Sequence, residues 1–328
     1  MAGKTIGIEI GNDSVKLAVI NGGRVTATAV ERMPDNMVME GRISSPDAMS
    51  NFIKQMRKNH HIPGGNAALV LPYHAVITSV VTLPAMSDQE LAINLPFEFR
   101  DFVGQDGAKY HYDYAVMDTI AGSDGQPEKL EVFSAAVKKD LIDANFNMLK
   151  KAGLTMKTAV PHEAAWMNLV RQATREPKEI CIVDVGHTAT RVFIFANSRF
   201  IMGREIEIGG QLLDASISAE KEVDAHIARS YKESNMNDVQ SSPECMDAYN
   251  TLAVEVMKVV NFYTNFSNRS DNLQDIYFAG GQSSIENLRV AVKKATGLTT
   301  HHISRLVPGG VENQDTLCCA IAAGAAIQ

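Results

Sequence analysis

The first residues with chemical potential lie in a short hairpin near the start of the chain. Ile6–Ile20 reads IGIEIGNDSVKLAVI, with apolar residues alternating on both sides of a Gly-Asn-Asp-Ser turn. This alternation predicts a β-hairpin with a polar tip. Glu9 precedes the turn, Gly11 opens it and Lys16 follows it. Glycine allows close approach of the backbone to an anion, and successive turn N–H groups can hold phosphate oxygens, while the acid can hold magnesium through water.

A second hairpin repeats this pattern 175 residues further along. Ile180–Phe195 reads ICIVDVGHTATRVFIF and carries the acid, the glycine and the base at Asp184, Gly186 and Arg191. Any two β-hairpins share alternation and a turn glycine, but the shared acid and base at one register favour an ancient duplication. Two such hairpins facing each other across a cleft would grip a polyphosphate from both sides.

A third segment has the composition of a strand, a turn and a helix. Asp275–Gly281 reads DIYFAGG and precedes Gln282-Ser283-Ser284 and the helical run Ile285–Thr296. A strand, a glycine turn and a helix N-terminus form a plausible seat for the sugar, base or α-phosphate of a nucleotide. A simple strand-to-helix turn with a serine cap gives the same pattern.

Composition limits the classes of protein that fit. The chain has 328 residues, of which 45% are hydrophobic and 21% charged, enough for about two domains with packed cores. No uncharged apolar run approaches the roughly 18 to 20 residues of a membrane helix, and the start of the chain does not resemble a signal peptide. The four cysteines lack CxxC spacing, so neither a disulfide framework nor a zinc site is indicated. The net charge of −7 disfavours nucleic acid as a partner. We expect a cytoplasmic protein.

Together these segments resemble the actin-like ATPase superfamily and, within it, the PilM family of type IV pilus assembly proteins. The two hairpins are similar to its phosphate motifs, and AGGQSSI at 279–285 is similar to its adenosine motif. MGREIEIGG at 202–210, VTLPAMSDQE at 81–90 and TLCCAIAAGAAI at 316–327 favour PilM. The resemblance implies an α/β, actin-like (ribonuclease H-like), duplicated two-lobe fold with the inserted subdomain that PilM shares with FtsA.

The resemblance also implies a domain organisation. We expect a first lobe over residues 1–173, with the inserted subdomain at about 66–153. A second lobe would cover 174–328, with a helical insertion at about 211–270. Within the first lobe, Ser45-Pro46-Asp47 predicts the start of a helix around 48–60, and a second helix is expected at 87–102.

By this resemblance the chain binds ATP and Mg²⁺ between its lobes. Glu9 and Asp184 would bracket the magnesium ion. The expected nucleotide-binding residues are Gly11, Asn12, Asp13, Ser14, Lys16, Asp184, Gly186, His187, Thr188, Gly209, Gly210, Lys232, Gly280, Gly281 and Gln282.

Two positions depart from the family pattern. Glu9 stands where the family usually has Asp, and the extra methylene moves the carboxylate by about 1.5 Å, which affects metal geometry. Arg229 stands at the register of a Glu that commonly contributes to adenosine recognition, whereas Lys232 is retained.

The leading functional interpretation is a nucleotide-binding scaffold rather than a fast enzyme. The resemblance implies binding to the short N-terminal cytoplasmic tail of a PilN-like bitopic membrane protein, and peripheral membrane association through that partner. The groove for the tail is expected between the first lobe and the inserted subdomain. Self-association is left open.

Two other functions compete with this interpretation. One is an FtsA-like division protein or a filament-forming plasmid-segregation actin, although no basic residue follows Arg305 to form an FtsA-like membrane helix. The other is a sugar kinase, for which Asp101, Asp106 and Asp113 lie in no recognisable motif.

Candidates for catalysis and other chemistry are few. His162 and Glu163 lie where actin-like enzymes often position the attacking water, and at most a slow ATPase is expected. The pairs His60-His61 and His301-His302 are poor metal candidates, since adjacent side chains point in different directions. Cys318-Cys319 is better explained by tight packing of a helix of small residues.

Overall fold

The computed structural model describes residues 3–39, 41–123, 125–173, 178–267 and 273–327. The elements before the inserted sheet are β1 (Thr5–Ile10), β2 (Ser14–Asn21), β3 (Arg24–Arg32), β4 (Val38–Met39), β5 (Arg42–Ile43), α1 (Pro46–Asn59) and β6 (Gly65–Val70). The next elements are β7 (Val76–Pro84), α2 (Asp88–Glu98), α3 (Arg100–Val103), β8 (Tyr110–Ala121), β9 (Pro127–Lys138), α4 (Lys139–Lys151), β10 (Leu154–Val160) and α5 (His162–Ala173).

The rest of the chain forms a second set of strands and helices. They are β11 (Glu179–Val185), β12 (Thr190–Ala196), β13 (Arg199–Ile206), α6 (Gly210–Lys221), α7 (Ala225–Ser234), α8 (Pro243–Ser267), β14 (Leu273–Ala279), α9 (Glu286–Thr296), β15 (Thr299–His302) and α10 (Gln314–Ala326). The sequence predicted both hairpins, the glycine-flanked strand and the helix after it.

The two five-stranded sheets have the same topology. The first has the strand order β10-β6-β1-β2-β3 and the second β15-β14-β11-β12-β13. In each, the opening strand pairs antiparallel with the second strand and parallel with a later one. Glu9 pairs with Lys16 in one hairpin, and Asp184 pairs with Arg191 in the other. The predicted duplication is therefore visible in strand order and in register.

The hairpin strands follow from their side chains. Ile8, Leu17 and Val183 are fully buried, as expected of β-branched and aliphatic residues on the inner faces of the sheets. The helices begin where local signals indicate. Ser45 caps α1 by accepting a hydrogen bond from the Ala48 N–H at 3.3 Å, and a reciprocal capping box starts α2.

The inserted subdomain is smaller than the expected range of 66–153. Strand β6 pairs with β1 and β10, so residues 65–70 belong to the first sheet. Helix α4 packs on α1 and β10 and therefore also belongs with that sheet. The inserted three-stranded sheet, ordered β7-β9-β8, spans Val76–Lys138 with α2 and α3. The sequence signal failed because the break at 63–65 precedes another strand of the first sheet rather than the insertion.

The other domain boundaries stay predictions. Residue 174, where the second lobe was expected to begin, and residue 270, the expected end of the helical insertion, lie outside the described residues. Helices α6, α7 and α8 follow β13 and precede β14, within the expected insertion.

Helix α10 packs between the lobes. It contacts β1, β2 and β6 of the first sheet, β14 of the second, and helix α5. Small residues permit these contacts: a Cβ at Gly7 would lie 1.7 Å from the Ala322 carbonyl oxygen, and one at Gly324 would lie 2.2 Å from that of Ala165. Cys318 and Cys319 are buried in this helix, as predicted.

Of the helices within the described ranges, none combines the length and the apolar character that crossing a bilayer requires.

Candidate functional site

The turns of the two hairpins face each other and touch. Asn12 Nδ2 donates a hydrogen bond to Thr188 Oγ1 at 2.7 Å. Each turn is closed by the same backbone bond, from the Gly11 N–H to the Ser14 carbonyl and from the Gly186 N–H to the Ala189 carbonyl, both at 3.0 Å. The structure thus brings the two predicted phosphate turns together in equivalent conformations.

The acids and the lysine behind the turns form a buried charge cluster. Lys16 Nζ lies 3.1 Å from Glu9 Oε1. Burial opposes the charge of Lys16, but the attraction of Glu9 and Asp184 outweighs it and raises the pKa of the lysine. Burial and then repulsion by Glu9 raise the pKa of Asp184 to about 6. Two carboxylates that repel each other form an environment that a cation would stabilise.

The two bases of the duplicated hairpins have different partners. Lys16 stays with its cross-strand acid, Glu9. Arg191 instead lies with Nε 2.7 Å from Glu205 Oε2, and its guanidinium stacks over the Tyr73 ring, 4.9 Å from the centroid. The second base therefore ties the lobes together, while the first remains with the turns.

A glycine pair supports the second turn. The Gly210 N–H donates to the Gly186 carbonyl at 2.9 Å, and the Gln211 N–H donates to the His187 carbonyl at 2.7 Å. A Cβ at Gly209 would lie 2.6 Å from the His187 carbonyl oxygen, and one at Gly210 would lie 2.6 Å from Gln282 Cδ. Close packing against backbone atoms of the turn therefore requires glycine at position 209, whereas a Cβ at position 210 first meets the side chain of Gln282.

The turn after β14 adjoins the same cluster. Gly280 has φ +88°, and a Cβ there would lie 2.6 Å from Asp184 Oδ1. Its N–H donates to the Leu317 carbonyl at 3.0 Å. Gln314 Nε2 donates to the Gly281 carbonyl at 2.8 Å. The start of α10 therefore fixes this turn beside Asp184.

Lys232 is buried rather than free in the cleft. Its side chain is 3% exposed, and Nζ lies 2.6 Å from Asp214 Oδ1 and donates to the Gly210 carbonyl at 3.1 Å. Burial lowers the pKa of Lys232 despite the attraction of Asp214. Lys232 therefore holds the glycine pair in position, and its ammonium is already committed to protein partners.

Arg229 crosses from the second lobe to the first turn. Its Nη1 donates to Asp13 Oδ1 at 2.5 Å, and its Nε donates to Asp214 Oδ2 at 3.0 Å. Its Nη2 lies 2.9 Å from His187 Nε2. Burial, and then Arg229, lower the pKa of His187, which favours the neutral imidazole that can accept this hydrogen bond. The guanidinium thus contacts both turns.

His162 and Glu163 lie beneath the cleft and are each 5% exposed. Tyr73 packs edge-on against His162 at 5.6 Å between ring centroids. Burial, and then Arg191, lower the pKa of His162 well below its ordinary range. Burial raises the pKa of Glu163, whose Oε1 accepts a hydrogen bond from Thr78 at 3.2 Å. Both side chains are therefore almost fully enclosed by protein.

Sequence reasoning missed Asp214, Gln314 and the thiol of Cys318 as neighbours of the site. Asp214 is 2% exposed and anchors both cations of α7. Its signal was an acid within the apolar run QLLDASI of a helix, where a buried charge requires a partner. The histidine pairs, by contrast, are used in surface and edge contacts: His60 pairs with Glu31 and His301 with Asp275.

This arrangement fits a polyphosphate with a hydrated divalent cation. The turns offer backbone N–H groups, Lys16 offers charge, and glycines lie where a Cβ would fill the space. Within the described residues, no three His, Cys, Asp or Glu side chains cluster as a protein-only metal site. Glu9 and Asp184 could therefore hold Mg²⁺ only with water or phosphate completing its shell, as this ion commonly allows.

Comparison with known proteins shows the same fold elsewhere. A structure described as the PilM–PilN type IV pilus biogenesis complex matches with a TM-score of 0.80 and 19% identity, covering 99% of this chain and 98% of the other. The ethanolamine utilization protein EutJ from Carboxydothermus hydrogenoformans matches with a TM-score of 0.62 and 14% identity, covering 99% and 89%. The predicted actin-like fold is confirmed.

The family assignment rests on the sequence itself. The family model described as type IV pilus assembly protein PilM matches residues 7–308. That range contains both phosphate turns, the inserted sheet and the turn after β14. The chain therefore belongs to the PilM family of type IV pilus assembly proteins.

Proposed function

We propose that this protein is an ATP-binding, actin-like scaffold of type IV pilus assembly or a related secretion or competence system. The observation that carries the proposal is the contact between Asn12 and Thr188, which joins two equivalent glycine turns from opposite lobes. Membership of the PilM family supports the pilus role.

In the proposed site the phosphates lie between the two turns. The N–H groups of residues 12–14 and the hydroxyl of Ser14 serve one side, with charge from Lys16, and Gly186, His187 and Thr188 serve the other. The residues after β14 seat the nucleoside. Bound Mg²⁺ would neutralise phosphate charge, held through water by Glu9 and Asp184, whose mutual repulsion it relieves.

Lys232 has a different role in this proposal from the one expected. Its ammonium is occupied by Asp214 and the Gly210 carbonyl. It therefore shapes the second turn from behind, and the nucleotide depends on it indirectly.

The proposed partner is the short N-terminal cytoplasmic tail of a PilN-like bitopic membrane protein, which would bring the scaffold to the inner face of the membrane. The inserted subdomain offers apolar surface for a peptide: Phe97 and Phe102 are 56% and 65% exposed, although Phe99 between them is buried. Exposed aromatic groups of this kind are typical of peptide-binding surfaces. ATP would influence this surface only by favouring one arrangement of the lobes over another.

The proposed scaffold turns over ATP slowly or not at all. His162 and Glu163 are enclosed beneath the cleft, and Glu163 already accepts a hydrogen bond from Thr78. An FtsA-like or plasmid-segregation filament is the alternative, and nucleotide-dependent sedimentation would favour it.

Calorimetry with ATP, with and without Mg²⁺, tests the proposal. Lys16→Ala and Asp184→Ala should each weaken binding at least tenfold, whereas Lys54→Ala, at an exposed lysine of α1, should bind as the parent does. If both site variants bind ATP like the parent, the site is misassigned.

Co-purification with the synthetic PilN tail tests the partner, and the Phe97→Ser and Phe102→Ser variants test where it docks.

A further inference from the structure

Helix α7 presents a row of ionisable side chains to the opposite lobe. His226, Arg229 and Glu233 follow the i, i+3, i+7 spacing that places residues on one face of a helix. His226 and Arg229 each contact a carboxylate of the first lobe, and Glu233 contacts an arginine there. The three pairs are His226 with Asp35 at 3.4 Å, Arg229 with Asp13 at 2.5 Å, and Glu233 with Arg32.

The central pair of this row differs from the outer two. The side chains of Arg229 and Asp13 are 14% and 23% exposed, whereas those of the outer pairs are 47–74% exposed. Exposed ion pairs contribute little because water screens them. The central pair therefore dominates the electrostatic contact between α7 and the first turn.

Arg229 has fixed partners on its own lobe and an exchangeable one on the other. Asp214 accepts from Nε, and His187 lies against Nη2, so both groups orient the guanidinium toward the space between the turns. Asp13 accepts from Nη1 and belongs to the turn that the phosphates would face. Asp13 also has a second cation, Arg32, whose Nε lies 3.6 Å away, so it would keep a counter-charge without Arg229.

We propose that Arg229 is a phosphate-responsive clamp: a bound nucleoside polyphosphate replaces Asp13 as the acceptor of its Nη1 hydrogen bond. This inference rests on the proposed nucleotide site. Phosphate and carboxylate compete for the same planar donor, and arginine pairs with phosphate through strong charge-assisted hydrogen bonds. Because Asp214 holds the guanidinium in place, the exchange requires little movement of Arg229.

The clamp predicts which ligands the cleft prefers. Arg229 adds affinity only for ligands whose phosphates reach the space between the turns, and it adds nothing for a nucleoside. Asp13, in contrast, opposes phosphate binding, because its carboxylate competes for the donor and repels the anion. Removal of Arg229 and removal of the Asp13 charge should therefore change the affinity for ATP in opposite directions.

Calorimetric titration with adenosine, AMP, ADP and ATP tests this inference on the full chain. Arg229→Gln should weaken ATP binding about tenfold or more while changing adenosine binding less than about twofold, and Asp13→Asn should tighten ATP binding severalfold. Arg229→Lys, which keeps the charge without the planar fork, should recover part of the loss. His226→Gln and Glu233→Gln, which remove the outer pairs, are the matched controls and should bind ATP as the parent does.

Three outcomes would overturn the clamp. One is that Asp13→Asn weakens ATP binding as Arg229→Gln does, since the pair would then only tie the lobes together. Another is that Arg229→Gln binds ATP like the parent. The third is an equal loss for adenosine and ATP, which would indicate a purely structural role.

A parent that fails to bind ATP at all would instead overturn the proposed nucleotide site. Thermal unfolding of each variant identifies losses caused by misfolding, and Asp13→Asn, a change at a partly exposed turn, supplies an independent test if Arg229→Gln does not fold.

Discussion

Asn12 Nδ2 and Thr188 Oγ1 lie 2.7 Å apart, although 176 positions separate the two residues in the chain. They occupy equivalent turns of two sheets with the same strand order. A ligand held between these turns contacts both lobes at once. Its binding energy can therefore favour one relative position of the lobes, provided that it binds the two arrangements with different affinity.

Gly280→Ala should disturb the acid cluster. The new Cβ would lie 2.5 Å from the Val185 carbonyl oxygen and 2.6 Å from Asp184 Oδ1, at a φ of +88° that L-residues rarely adopt. We expect at least tenfold weaker binding of ATP in the presence of Mg²⁺, measured by calorimetry. Gly297→Ala is the matched control, because Gly297 also has a positive φ (+72°) but no described atom lies within 4 Å of a Cβ built there. Equal loss in both variants would contradict this explanation.

Glu9→Gln should reduce the contribution of Mg²⁺ to ATP binding. Glu9 is one of two acids that repel each other near Lys16, and a divalent cation gains from both charges. We expect the gain in ATP affinity on adding Mg²⁺ to shrink by about tenfold, the equivalent of about 1.4 kcal/mol. Glu128→Gln, at an exposed position of β9, is the control. An unchanged Mg²⁺ dependence would remove Glu9 from the metal site.

Gly7→Ala should destabilise the contact between β1 and α10. Its Cβ would lie 1.7 Å from the Ala322 carbonyl oxygen, so a strand or a helix must move. Overpacking of this kind costs about 1–3 kcal/mol or more, and urea unfolding measures it. Gly3→Ala, where a Cβ meets no described atom within 4 Å, should leave the free energy of unfolding within about 0.5 kcal/mol of the parent. A stable Gly7→Ala protein would contradict the close packing of α10.

The His162→Phe variant should lose less free energy of unfolding than the parent when the pH is lowered. Burial, and then Arg191, lower the pKa of His162 in the folded protein well below its ordinary value of 6.5. The unfolded chain therefore takes up a proton as pH falls through 6.5, and the folded state does not. Its contribution to stability is complete above pH 6.5 and decreases below it, by at most about 2 kcal/mol at pH 5, the limit set by protonation of the unfolded chain.

The measurement for His162 is the free energy of unfolding at pH 7.5 and pH 5. The parent should lose more stability between these values than His162→Phe does, by up to about 2 kcal/mol. Trp166→Phe, a change between neutral rings in the same core, should lower stability by a similar amount at both pH values. Parallel pH profiles for the parent and His162→Phe would show that the imidazole is not the group responsible.

Local patterns predicted the hairpins because each strand contains its own signal. Alternating apolar residues at 6–10 and 15–19 and the polar turn between them are sufficient for β1 and β2, and the repeated register identified β11 and β12. The width of the insertion was not predictable in this way. Strands β6 and β7 are both predicted as strands by their apolar residues, but their membership of different sheets depends on their partners, β1 in one sheet and β9 in another.

The sequence indicated which turns form the candidate site, but it did not indicate which side chains pair with one another there. Arg191 and Lys16 occupy equivalent registers, yet Lys16 pairs with Glu9, whereas Arg191 pairs with Glu205 on the neighbouring strand β13 and stacks on Tyr73. Lys232 was expected to contact the nucleotide directly, but its ammonium is paired with Asp214 of another helix, a partner that no local pattern indicates. Such contacts join residues that are distant in the sequence, and no local pattern contains them.

The most direct test of the proposed nucleotide site is a crystal structure of the protein with a non-hydrolysable ATP analogue and Mg²⁺. We expect one nucleotide per chain, with its phosphates between residues 12–14 and 186–188, Lys16 in contact with them, and the metal ion between Glu9 and Asp184. A nucleotide bound elsewhere, or phosphates that contact only one of the two turns, would contradict it.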